Sequence, residues 1–174
     1  MKNFEERLKG GHPNSLGNTV EIVEEVLQDR DLFDELFNCY FSDDEVVRLR
    51  VSNAMKKIGK VDKTYLTPYI DRFINEISKI DQASTQWTFA QLFLLLEKEI
   101  SDQQKKNAIV IMKHNLEHHN DWIVLNQTME TLFKWSKKKE DLKVWLHPHL
   151  ERLSKDERKS VSKRALKYLD IIQL

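Results

Sequence analysis

One short pattern returns four times along the chain at nearly constant spacing. A small residue is followed four places later by an aliphatic one at Ala54/Ile58, Ala90/Leu94, Thr128/Leu132 and Ala165/Leu169, in steps of 36, 38 and 37 residues. Three places before the small residue stand Val51, Trp87, Leu125 and Ser162; the first three are apolar, and the fourth breaks the pattern as a terminal unit does. Residues at these offsets share one face of an α-helix, and the small one lets a neighbouring helix come close. Self-similarity at such a period is the mark of stacked units, none of which buries its apolar face alone.

A second helix precedes each of these. Leu66-Thr67-Pro68-Tyr69-Ile70 and Leu146-His147-Pro148-His149-Leu150 share the form Leu-x-Pro-x-aliphatic, 80 residues or about two periods apart. Proline is tolerated near a helix start, where its missing N–H has no intrahelical partner, so both are expected there. The spacing predicts helix pairs at 31–41 with 43–58, 64–79 with 82–98, 103–119 with 121–137, and 141–153 with 155–172. Val20, Val23, Val26 and Leu27 mark a further helix over 18–29, capped by Asn18 or Thr19, with Glu21 and Glu24 near its positive end. Three of the four glycines fall in the segment 10–18, which reads as a loop after a short N-terminal helix. The expected organisation is an N-terminal helix and Gly-rich loop over 1–17 and a helical repeat domain over 18–174. No run of β-branched residues with period two occurs, and four Gly and three Pro in 174 residues disfavour a turn-rich all-β fold.

The segment 42–59 resembles the second helix of a HEAT repeat. That pattern has an acidic residue in the turn, then Val-Arg, a small residue, and a Leu/Ile-Gly close, here Asp44, Val47-Arg48, Ala54 and Ile58-Gly59. The other units keep the period but replace Val-Arg with Ala83-Ser84, Asp121-Trp122 and Arg158-Lys159. The resemblance spans roughly 30–172, strongly in one unit and weakly in three. It implies an all-α fold: a short right-handed α-solenoid of about four HEAT-like helical hairpins plus N-terminal helices. It also implies a non-enzymatic protein-interaction or scaffold role, with no cofactor. A minority of HEAT-like proteins act on alkylated DNA, so a DNA-binding or DNA-alkylation-repair-like protein is the alternative.

Charge bears on that choice. Lys+Arg and Asp+Glu number 28 each, and a zero balance argues against a generic binder of nucleic acid or membrane surface. The distribution is uneven: residues 1–100 hold 13 cations and 18 acids, net −5, and 101–174 hold 15 and 10, net +5. The basic half is read first as a solvated terminal face, as a capping repeat requires, and second as a patch for phosphate or an acidic partner. The longest strongly apolar run, 92–96, is far too short to cross a membrane, and acids stand where a signal peptide would need an apolar run. One cysteine excludes an intrachain disulfide and suits a reducing, cytoplasmic setting.

On the solenoid reading, residues between the core positions of the second helices line a groove. Arg50 and Asn53, Gln86, and Trp122 and Gln127 are the candidate contacts for a protein or peptide partner, with Trp122 as aromatic anchor and packing between repeats as its other reading. Trp87, at a core position, is expected to pack. Cys39 lies among aromatics near a helix end and reads as a small packed side chain, not a nucleophile. His114 and His118 are spaced to share a metal on one helical face, or to sit at a solvated helix end favoured by the dipole. Glycine-rich phosphate loops and the Gly-x-Ser-x-Gly nucleophile elbow do not occur.

Overall fold

The computed structural model describes residues 1–172 and, among them, helices and turns with no strand. The chain divides into two units, Met1–Ile100 and Ser101–Leu174.

In the first unit the short helix α1 (Phe4–Leu8) precedes the Gly-rich loop and α2 (Thr19–Gln28). Phe4 and Leu8 are fully buried and anchor α1 in the core of this unit, while residues 9–17 are exposed. Asn18 sits at the N-cap of α2, but its amide donates to the Arg7 carbonyl at 3.1 Å and does not cap the helix. α3 (Phe33–Asn38) lies between the 3-10 turns Arg30–Leu32 and Cys39–Phe41, and α4 (Glu45–Val61) follows. The Asp44 carboxylate caps α4 by accepting from the Val46 N–H at 2.8 Å. The first helix of the next pair is broken into 3-10 turns at Lys63–Tyr65, Thr67–Tyr69 and Ile77–Lys79 around α5 (Ile70–Asn75). Asp62 starts the first of these by accepting from the Thr64 N–H at 2.9 Å, and Pro68 stands early in the second. α6 (Ala83–Leu95) closes the unit, and α4 packs against both α2 and α6. Edge-to-face rings fill the space beside α3: Phe37 meets Phe73 at 5.2 Å and Tyr40 at 5.7 Å.

Gly59 shows why a glycine closes α4. A Cβ there would lie 2.5 Å from Leu66 Cδ1 and 3.2 Å from Leu95 Cδ2, so the helix surface is bare where leucines from both sides meet it. Gly59→Val is expected to lower stability by about 1–3 kcal/mol through overpacking. A urea midpoint equal to that of the parent protein would show that the leucines yield freely.

The second unit holds α7 (Asp102–His118), α8 (Trp122–Ser136), α9 (Glu140–Leu153) and α10 (Lys159–Ile171). Ser101 and Gln104 form a reciprocal capping box at α7, and Asp121 accepts from Ile123 and Val124 N–H at α8. α8 packs against α7, α9 and α10, with Phe133 stacked on Tyr168 at 4.0 Å. Pro148 lies inside α9, not near its start. The rung it removes is the one to the carbonyl of Val144, and both residues face solvent, where water can take the free carbonyl. No helix among the described residues is long and apolar enough to cross a membrane.

The repeated small residues behave as their spacing predicts. Ala54, Ala90, Thr128 and Ala165 are all fully buried, and so are Ile58 and Leu132; Leu94 and Leu169 are half-buried.

Candidate functional site

The residue four places before each repeated small residue is Arg50, Gln86, Val124 or Val161, and all four are buried. This position is therefore part of the packed seam of each second helix. That corrects the placement of Arg50 and Gln86 on an exposed groove. Gln86 is 6% exposed, and its amide donates to the Ser78 and Ile80 carbonyls at 2.9 and 2.8 Å. It ties the turn before α6 to α6 itself.

Arg50 is 1% exposed. Its Nη1 donates to the carbonyls of Leu8 and Gly10, both at 2.6 Å, its Nη2 to His12 at 3.3 Å and its Nε to Ser15 at 3.2 Å. The backbone of the Gly-rich loop thus wraps its carbonyls around one guanidinium. Gly17, with φ +51°, lies against the group; a Cβ there would be 3.0 Å from Arg50 Cζ.

This cage fixes one wall of a cleft. Pro13, Ser15 and Leu16 of the loop, Leu49, Arg50 and Asn53 of α4, and Trp87 of α6 border a space of about 250 Å³ together with Asn14. Asn53 is half-buried, and its amide makes only a long 3.5 Å bond to the Leu49 carbonyl. Trp87 is half-buried here, which corrects its reading as a core residue: the loop leaves part of the indole facing the cleft. The cleft thus includes Asn53, one of the candidate contacts, and Trp87, which was expected to pack. Its one available signal was the position after Gln86, a polar residue where the later units carry valine.

Trp122 stands at the first position of α8 and is 49% exposed, while Gln127 is half-buried. Five residues along a helix turn through well over a quarter circle, so these two do not share a face. A wider concavity of about 490 Å³ at the N-terminus includes Glu5, Asp31, Asp34 and Glu35. Glu35 is already engaged there, accepting from the backbone N–H groups of Lys2 and Phe4 at 2.9 and 3.2 Å.

The remaining candidates take structural positions. Cys39 is buried, and burial, followed by the nearby Glu5 and Glu35 charges, pushes its thiol up to about 12, so it stays protonated. The rings of His114 and His118 stack at 4.4 Å, and His118 Nδ1 donates to the His114 carbonyl at 3.0 Å. Among the described residues no group of three or more His, Cys, Asp or Glu is placed to hold a metal ion. His149 packs on Trp145 at 4.1 Å and lies 3.6 Å from Glu117; desolvation, then the Arg152 and Lys113 charges, lower its pKa against the opposing pull of Glu117. In the basic unit, Arg158 pairs with Asp156 at 2.7 Å and Arg164 with Glu130 at 3.0 Å, while Lys137, Lys138, Lys159, Lys163 and Lys167 are exposed.

Comparison with protein families, with curated proteins and with solved structures finds no match to this chain.

Proposed function

We propose that the chain is a non-enzymatic protein-interaction module of HEAT-like type, which docks a short segment of a partner protein in the cleft between the Gly-rich loop, α4 and α6. The observation that carries this reading is the cleft itself. Its loop wall is held by a buried arginine, and it presents a half-buried Trp87 beside the little-used amide of Asn53. An aromatic ring with polar groups at its edge is the usual chemistry of a protein anchor site. The 36- to 38-residue period and the helix pairs that follow it support a repeat architecture of the HEAT kind. The single cysteine, buried and unpaired, supports a reducing, cytoplasmic setting.

Selection of displayed random peptides against the full chain tests this. Peptides are expected to be enriched, and Trp87→Ala and Asn53→Ala each to weaken them by roughly tenfold or more. Both positions are half-buried, so a matched urea midpoint controls for folding. Absence of enrichment, or enrichment indifferent to both substitutions, would reject the cleft. Loss on Trp122→Ala alone would move the docking surface to the second unit.

A further inference from the structure

Away from the cleft, two helices each bury one face and leave the other to solvent. α4 is covered on two sides, by α2 and by α6. α2 itself buries Thr19, Ile22, Val23 and Val26 and packs on α4. Its outer face, where residues three and four apart line up, carries Val20 at 44% exposure, the exposed Glu21 and Glu24, and the half-buried Leu27. The helix contains no lysine or arginine. Arg7 pairs with Glu25 and its field reaches Glu21, while Glu24 is in no ion pair among the described residues. α10 buries Val161, Ala165 and Tyr168 and packs on α8 and α9. Its outer face carries Lys159, Lys163 and Lys167, about one turn apart, with Leu166 at 49% exposure and a single acid, Asp170. The three lysines are exposed, and none is in an ion pair among the described residues.

These two faces complement each other in sign and in form. Each sets an exposed apolar side chain among charges, glutamates on α2 and lysines on α10. α2, of 10 residues, runs about 15 Å and α10, of 13 residues, about 20 Å, so one lies along the other with Leu166 over the Val20–Leu27 edge. The asymmetry extends to the whole chain, net −5 over 1–100 and +5 over 101–174. Pairing α10 with α10 sets lysine against lysine, and α2 with α2 sets glutamate against glutamate, so neither face suits itself. Asp170 within the lysine face and the zero overall charge disfavour a polyanion such as nucleic acid. Every copy carries both faces, so the matching acidic surface is present wherever the basic one is. We propose that the chain associates head to tail with a second copy of itself, the outer face of α10 on one copy lying on the outer face of α2 on the next. Such a contact joins two different surfaces and repeats into a closed ring or an open chain. It is small and rimmed by charge, hence weak and sensitive to salt.

Sedimentation of the full chain over a range of concentrations tests this. In about 20 mM salt the average mass is expected to rise above that of the monomer, and in about 0.5 M salt, where screening acts within a few Å, to fall back toward it. Lys163→Glu with Lys167→Glu, and separately Glu21→Lys with Glu24→Lys, are each expected to weaken association by roughly tenfold or more. An equimolar mixture of these two double variants is expected to restore it, because opposite charges again face each other, and this also shows that both fold. Lys106→Glu with Lys138→Glu makes the same change in net charge at exposed positions outside α10 and is expected to associate like the parent. A parent chain that stays monomeric at low salt would overturn the inference, as would a mixture of the variants that stays monomeric. Equal loss in the Lys106 and Lys138 variant would replace the α10 face with a general attraction between net charges. Association indifferent to Glu21 and Glu24 would remove α2 from the contact and overturn the head-to-tail pairing.

Discussion

Arg50→Ala is expected to destabilise the first unit by about 2–4 kcal/mol, with the damage concentrated in the segment 9–17. The side chain supplies four hydrogen bonds from a charged donor to the carbonyls of Leu8, Gly10, His12 and Ser15. Removing it takes a charged donor from those carbonyls and deletes the volume of a side chain that is 1% exposed. The glycines that bend this loop, at φ +75° for Gly10, +74° for Gly11 and +51° for Gly17, give it little stiffness of its own. Amide hydrogen exchange over 9–17 is therefore expected to rise further than over α4. Arg50→Lys should recover less than half of the loss, because one ammonium cannot reach carbonyls arrayed around a planar fork. Unchanged exchange in the loop, with an unfolding midpoint equal to the parent's, would show that the carbonyl cage is incidental.

In the second unit the largest effect is expected at Trp135, the bulkiest of its fully buried side chains at 1% exposure. Trp135→Ala should cost about 3–5 kcal/mol, from lost transfer energy and the cavity left behind. Trp135→Phe separates size from polarity. The indole Nε1–H is buried with no hydrogen-bond partner among the described residues, a penalty of about 1–3 kcal/mol that phenylalanine does not carry. The remaining ring keeps most of the apolar volume and stays under the Lys105 ammonium, which lies 4.6 Å from the ring centre in the parent. Trp135→Phe is thus expected to fall within about 1.5 kcal/mol of the parent. A phenylalanine variant as unstable as the alanine one would mean that the indole N–H does find a partner in solution.

The two units differ in how far their residues could be read ahead of the structure. Helix limits were legible where a cap and a periodic apolar face coincide, as at Ser101 and Gln104 before α7 or Asp121 before α8. They were less legible in the first unit, where local side-chain bonds at Asp29 and Asp62 divert the backbone into 3-10 turns within apolar runs that otherwise look continuously helical. The placement of Arg50 failed for a related reason. Charge type suggested solvent, yet Val124 and Val161 at the equivalent position mark it as a seam position, and the seam accepts an arginine once carbonyls surround it. Asn53, expected on a groove of the second helices, is half-buried and borders a cleft beside the loop. Trp87 was expected to pack, but its exposure depends on how far a loop some seventy residues earlier covers it.

The sequence by itself determined the helical class and the buried place of one small residue in each second helix, because the spacing of Ala54, Ala90, Thr128 and Ala165 is a property of one helix at a time. Only the tertiary structure decided what fills the seam at Arg50 and what opens beside Trp87. The partners there are the backbone carbonyls of residues 8–15, and a carbonyl is the same in every residue, so no side-chain pattern could announce them.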